Sequence, residues 1–385
     1  MTVRVNKPSF NIREKLSELG RKFGLKGSEL AAAETVQEAR EIVSAGRKNM
    51  IINGACMINQ RFKSGTYTLS QDNYYPVDRF RSWASGGGQF TIQRSDNAPP
   101  GFKNSLMLTV LAEDSSITAG DYYTVQQRVE GYNFSHLNWG TSDAKPITLS
   151  FWVRATVTGK YGISFFPNGQ SYNYVTHYNI NNFDAWEYKT ITIPGATSGT
   201  WLTNDSIGFG IWWDFGSGTL YETSTTETWG QNGKFWPTGS KQMIATNGAT
   251  FRMTGVQLEV GKNATEFEHR SYGEELALCQ RYFQKIEVTH NTVAASGHVY
   301  SGTTNAAMQA TLNCPLRTQP TVSLSGLTIY SSAGSHSYSL TGANYVGDTT
   351  ICNIMGTIGS GATARDPLFF LGQVSGGSIS LDAEL

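Results

Sequence analysis

Period-two alternation governs what this chain can become. In residues 146–156, PITLSFWVRAT, Ile147, Leu149, Phe151 and Val153 fall on one face, with Thr148, Ser150, Trp152 and Arg154 on the other. Residues 186–195 (WEYKTITIPG) and 249–261 (ATFRMTGVQLEVG) alternate likewise, as side chains of an extended strand must when one face is buried. Gly, Asn, Asp and Pro punctuate the runs at turn positions. Strands in this number, without intervening helices, imply two antiparallel sheets packed face to face, a sandwich or jelly roll over residues 49–271.

The pattern then breaks. Residues 272–285, YGEELALCQRYFQK, place Leu276, Cys279 and Phe283 at helical spacing, with Glu274, Glu275, Gln280 and Arg281 facing away. The segment reads as a connector helix into a second β domain over 286–385. A reactive thiol belongs near a helix N-terminus or beside a base, so mid-helix Cys279 reads as a buried packing residue. Cys56, Cys314 and Cys352 are far from it and from each other, with no clustered His. That spacing gives no zinc site and suits four reduced thiols.

Residues 1–48 differ from the rest. They hold ten Lys/Arg against six Glu, an excess of +4 in a chain of net charge zero. Ile12, Leu16, Leu19 and Phe23 form one apolar stripe on a short helix, and a second helix is expected over 28–46, with Ser28 as N-cap. The segment can pack on its own β domain or dock onto another protein, and its terminal, foreign composition favours docking. Residues 286–385 carry only seven charged residues and no lysine, which suits burial against sister copies or a surface of hydroxyls and amides. Zero net charge gives no long-range attraction to nucleic acid or an anionic membrane. No apolar run marks a signal peptide or a membrane span.

Several blocks occur in a telling order: NMIINGACMINQRF (49–62), YYPVDRF (74–80), QRVEG (127–131), LNWGTSDAKPITLSFWVRA (137–155), DAWEYKTITIPG (184–195), TGVQLEVGKNATEFEHR (254–270) and ELALCQRYFQK (275–285). Together they resemble the sandwich domain of many tailed-bacteriophage tail-fibre and receptor-binding proteins, similar to carbohydrate-binding modules. CPLRTQPTV (314–322) looks like the start of the β domain that often follows. KPSFNIREKLSEL with GRKNMIING resembles segments that open tail proteins of marine podophage type. The resemblance implies a mainly β virion protein: a short N-terminal helical anchor, a central jelly-roll sandwich, a connector helix and a small C-terminal β-sandwich. It implies synthesis in the host cytoplasm, a homotrimer, attachment through residues 1–48 to tail adaptor or nozzle proteins, and adsorption to a host surface polysaccharide. A connector that binds no glycan is the alternative, and a glycan depolymerase a further one.

A sugar site stacks an exposed aromatic ring on the apolar face of a pyranose and meets the hydroxyls with amides or carboxylates. Trp152 and Trp186 lie in regular strand runs and read as packing rings. Trp212, Trp213, Trp229 and Trp236 lie in a Gly-, Thr- and Asn-rich stretch, so Trp229 and Trp236, with Tyr221 and Asn232, are the leading glycan candidates. Adjacent Trp212 and Trp213 must point to opposite faces. The same rings could instead seal a trimer interface. If Trp229 and Trp236 stand on exposed loops, truncating either costs within about 0.5 kcal/mol. Glycoside hydrolysis needs a carboxylate pair; Glu130, Asp214, Glu222 and Glu227 are available, but nothing pairs any two. Asp78 and Glu259 are the carboxylates a structural calcium would use, although no Asp-rich loop marks it.

Overall fold

The alternating runs become strands. In this computed structural model the described residues are 47–62, 67–69, 74–331, 336–338, 340–346, 349–350, 352–359, 362–363, 365–373 and 376–385. The stripe Ile12, Leu16, Leu19 and Phe23 and both expected N-terminal helices lie outside them. The chain divides into two compact units, Met1–Lys48 and Asn49–Leu385, and every described strand belongs to the second. That unit is a mainly β structure of antiparallel sheets. Among the described residues no helix is long and apolar enough to cross a membrane.

A six-stranded sheet orders Tyr67–Leu69, Gln89–Ser95, Ser105–Ala112, Thr250–Val260, Ile147–Ala155 and Glu187–Ile193. A seven-stranded sheet orders Trp229–Gln231, Asn173–Ile180, Gly159–Phe166, Ile207–Ser217, Tyr122–Glu130, Phe80–Ser85 and Tyr74–Val77. Their facing sides supply one core. Ile147, Leu149, Phe151 and Val153 from the first sheet share it with Val125, Ile163, Phe209, Ile211 and Trp213 from the second. This is the sandwich that the period-two pattern requires.

The motif at 49–62 is a strap whose buried asparagines take the place of missing ladder bonds. Asn49 Oδ1 accepts from Ile51 and Leu258 N–H (2.9 and 3.0 Å) while its Nδ2 donates to Val256 O. Asn53, at φ 62°, donates from Nδ2 to Ile58 O and Asp78 O. Gly54 lies so close to Val256 O that a Cβ there would sit 2.1 Å from it. The motif at 254–270 completes the strap: Glu268 accepts from Asn49 N–H, and Arg270 donates to the carbonyls of Asn49 and Ile51.

The helix expected over 272–285 spans Tyr272–Gln280, its N-cap Ser271 accepting from Glu274 N–H. It stops because Phe283–Val288 is a strand paired with Gly377–Asp382, so tertiary pairing overrides helical spacing. Glu275 does not face away. It is buried, taking Asn53 N–H at 2.6 Å and Arg270 at 3.3 Å. Cys279 packs with Ile52, Ile58 and Tyr282, and burial pushes its thiol well above the ordinary range, which removes it as a nucleophile. All four cysteines are free.

Beyond the helix, a three-stranded sheet (Phe283–Val288, Gly377–Asp382, Thr321–Ser325) joins a seven-stranded one around a second core that includes Val299, Ile354, Leu368, Phe370 and Leu381. The seam between this module and the sandwich is ionic, with Glu130, Arg79, Arg61 and Glu384 withdrawn from water and Arg281 and Asp382 at its margin. Glu130 takes Arg281 Nε and Nη2 (2.9 and 2.5 Å) and the Tyr282 hydroxyl (2.6 Å). Arg79 pairs with Glu384 and lies 3.6 Å from the Tyr282 ring centre. Arg61 pairs with Asp382 at 2.9 Å and lies over the Phe283 ring. Removing one partner of such a cluster strands the others. Glu130→Ala is expected to lower unfolding stability by about 3 kcal/mol, measured by equilibrium denaturation; a change below about 1 kcal/mol would show the seam to be as weak as a surface pair.

Candidate functional site

Trp212 and Trp213 are neighbours on one strand, so their indoles leave the sheet on opposite sides. Trp213 is in the sandwich core, edge-on to Phe151 at 6.0 Å. Trp212 lies on the outer face, among Phe166 at 5.1 Å, Trp83 at 5.1 Å and Phe235 at 3.8 Å. Tyr221 and Phe235–Pro237, within the covering segment 218–240, lie over this face, while Trp229–Gln231 of that segment is the sheet's edge strand. Phe235 covers Trp212, and Trp236 and Pro237 sit on Gly162, where a Cβ would come 2.9 Å from the Trp236 Cβ. Both Trp212 and Trp236 are 3% exposed, so neither offers a ring to a ligand. The outer face also buries Phe166, Trp212 and Phe235 as a small cluster of their own, flanked by Trp83 and Tyr221.

The register explains what lies beside them. Arg81, Gln126, Trp212 and Ser164 are directly opposite one another across four strands. The Gln126 amide is fully buried, and among the described residues neither its oxygen nor its nitrogen has a hydrogen-bond partner; Ser164 Oγ, Trp212 Nε1 and Trp236 Nε1 are likewise unpaired there. Buried polar groups are paired in the great majority of cases, so this row is unusual. At the rim, half-buried rings run Trp83, Tyr122, Tyr221, with centres 4.9 and 5.8 Å apart. The Arg81 guanidinium lies 5.1 Å from the Trp83 ring centre. Rings with polar groups set beside them are what a sugar-binding surface needs. Of the expected residues, this face includes Tyr221, Trp212 and Trp236; Arg81, Trp83, Tyr122 and Gln126 are not among those expected. Their signal is nonetheless present: in RFRSWAS and YYTVQQRVE the non-core positions are polar or aromatic throughout.

Trp229 lies elsewhere. It joins Trp139 (5.0 Å), Trp201 (5.4 Å) and Tyr174 (5.2 Å) in an aromatic cluster beside the core, and its indole N–H donates to Pro194 O. Its ring is a packing ring, half-buried. Asn232 is exposed on the covering segment.

Two of the four candidate carboxylates are buried away from solvent. Glu130 belongs to the seam. Asp214 is fully buried on the outer face, bonded to Ser217 Oγ, with its other oxygen unpaired; burial pushes its pKa up to about 7. Glu222 and Glu227 stand on the covering segment. Asp78 accepts from Gln60 N and Nε2 (3.0 and 2.7 Å), and Glu259 from Gln257 Nε2, Thr265 N and Thr265 Oγ1 (2.9, 2.8 and 2.7 Å). Protein donors already occupy both, and no group of three His, Cys, Asp or Glu able to hold a metal ion exists among the described residues. Neither fits a calcium site.

No protein-family model matches the chain, and no curated protein matches it. Among solved structures, the enzymatically active domain of tailspike protein 4 of bacteriophage CBA120 aligns at 12% identity and TM-score 0.30, over 55% of this chain and 21% of that one. A family 11 carbohydrate-binding module of a Clostridium thermocellum cellulosomal cellulase aligns at 12% identity and TM-score 0.27, over 53% of this chain and 100% of the module. A xylan-binding domain from Paenibacillus barcinonensis aligns at 8% identity and TM-score 0.24, over 51% and 99%. The chain thus spans about a fifth of the tailspike domain (21%). At these scores the likenesses carry no argument about function.

Burial of Trp236 overturns the expectation that its truncation is nearly free. Trp236→Ala is expected to cost about 3 kcal/mol, read as a lowered denaturation midpoint; an unchanged midpoint would place the ring outside the packed cover. Asp214 generates a second prediction. Its folded pKa, about 7, lies above the ordinary aspartate value of 3.8, so the native state holds a proton that the unfolded chain has lost. Its contribution is full below about pH 4 and falls as pH rises toward about 7. Asp214→Asn should flatten the decline of stability across that window, and an unaltered pH profile would contradict the assignment.

Proposed function

We propose that the chain is a non-catalytic, carbohydrate-binding tail-fibre protein of a tailed bacteriophage, a homotrimer joined to the tail by residues 1–48, whose sandwich adsorbs to a host surface polysaccharide. The observation that carries this reading is the outer face of the seven-stranded sheet. There the half-buried Trp83–Tyr122–Tyr221 rings form a strip at the rim, and the half-buried Arg81 guanidinium lies beside Trp83. Neutral sugars need this mixture: carbon-bound hydrogens rest on rings, and hydroxyls exchange bonds with water for bonds to a guanidinium group.

Binding without cleavage is favoured because two of the four eligible carboxylates have other roles, Glu130 in the seam and Asp214 beneath the cover. The low charge of residues 286–385 supports association between copies. The alternative, a connector that binds no glycan, rests on the burial of Trp212 beneath Phe235 and of Trp236 against Gly162.

The test is a glycan array, followed by titration of the best neutral ligand into the purified chain. Trp83→Ala and Tyr221→Ala should each weaken binding about tenfold or more, while Asn232→Ala on the covering segment changes it little. Failure of the folded trimer to bind any glycan or host cells would transfer the case to the connector.

A further inference from the structure

The opposite side of the sandwich carries a second constellation. On the outer face of the six-stranded sheet, Tyr188, Trp152 and Thr254 share one register row, and Arg154 and Arg252 share the next, directly opposite each other on adjacent strands. Like charges directly opposite in a sheet repel. One carboxylate answers them: Asp184 is gripped by Arg154 through Nε and Nη2, both at 2.8 Å, with Asn97 Oδ1 accepting from Arg154 Nη1 at 3.2 Å. A bidentate fork of this kind uses both carboxylate oxygens.

Arg252 is left over. Among the described residues its Nη1 reaches Thr250 Oγ1 at 3.4 Å, and its Nε is buried without a hydrogen-bond partner. Burial and the neighbouring Arg154 both lower its pKa, burial more, with Asp184 opposing. A guanidinium remains charged in proteins even so, and with both Asp184 oxygens bonded to Arg154 the site presents two cations to one carboxylate. Beside it the Trp152 and Tyr188 rings meet at 5.3 Å, with Tyr188 44% exposed on an edge strand. Trp152 and Arg154 are two residues apart on one face, about 6.6 Å along the strand, roughly the reach from a pyranose ring to a substituent on it.

We propose that this face is a second saccharide site, selective for an anionic sugar: the Trp152–Tyr188 pair holds the ring, and Arg252 holds a carboxylate or sulfate on it. Thr190, exposed two residues along from Tyr188, extends the platform with a hydroxyl. The site uses no residue of the Trp83 face, so the two stand or fall separately. It also gives Trp152 a role in recognition that its strand position concealed.

Calorimetric titration of the full chain with oligogalacturonate, a sulfated dextran oligosaccharide and maltohexaose tests it. An acidic probe should bind and the neutral one should not compete for the same site. Arg252→Gln should weaken acidic binding about tenfold or more, Arg252→Lys less, Tyr188→Ala comparably to Arg252→Gln, and Trp83→Ala not at all. Raising ionic strength should weaken it further. Preference for oligogalacturonate or for the sulfated probe identifies the anion, and either supports the site. Binding of neither acidic probe by the folded chain, or binding that both Arg252→Gln and Tyr188→Ala leave intact, overturns it. Because Tyr188 is largely solvent-facing, its variant keeps the test decisive should Arg252→Gln fail to fold. Trp83-dependent binding of a neutral glycan surviving that outcome would leave the proposed function standing.

Discussion

Glu130 is the residue on which the rest of the structure turns. A carboxylate withdrawn from water must find charge and hydrogen bonds or force its strand apart. Glu130 finds Arg281 and the Tyr282 hydroxyl, which lie past the end of the helix at the entry to the C-terminal module. The same strand, Tyr122–Glu130, sends Tyr123, Val125 and Val129 into the core and carries Tyr122, Thr124, Gln126 and Arg128 on its outer side. Core, candidate face and seam are therefore fixed by one nine-residue segment. The C-terminal module is held against the sandwich by the same charges, with Arg317 adding bonds to Asp205 O at 2.7 Å and Glu384 O at 2.9 Å.

This arrangement explains why a chain with so few charged residues still has a dense ionic cluster. Arg61, Arg79, Glu130, Arg281, Asp382 and Glu384 converge where two β modules meet, and a desolvated seam gives orientation to partners whose apolar cores are complete without each other. The aromatic residues divide in a similar way. Trp139, Trp201 and Trp229 pack against one another, Trp213 fills the core, Trp212 is sealed beneath Phe235, and Trp236 is buried in the cover itself. The accessible rings of the two candidate faces, Trp83, Tyr122, Tyr188 and Tyr221, lie on strands or at their margins. A rigid scaffold thus presents them with little ordering left to be done on binding.

Three of the recognisable blocks, 49–62, 254–270 and 275–285, hold the molecule together. Asn49 and Asn53 strap the sandwich, Glu268 and Arg270 close the strap, and the helix with Arg281 and Tyr282 makes the seam. None of these residues belongs to either candidate face.

From the sequence alone, the period-two alternation determined the mainly β class, the core residues of Ile147–Ala155 and the opposition of Trp212 to Trp213, because pleated backbone geometry is local. Helical spacing likewise located the segment around Cys279 and put that thiol in an apolar stripe. Tertiary structure decided what local geometry cannot: that the helix ends at Gln280 because Phe283 pairs with Asp382, that Glu275 is buried by Asn53 and Arg270, and that Trp236 is covered rather than displayed. Trp83 and Arg81 could be read as sharing a face, but only the pairing of Phe80–Ser85 with Tyr122–Glu130 set them beside Gln126 and Trp212. Burial and charge pairing depend on residues far apart in the chain, and their register is fixed by which strands meet, a long-range property that alternation along one strand does not encode.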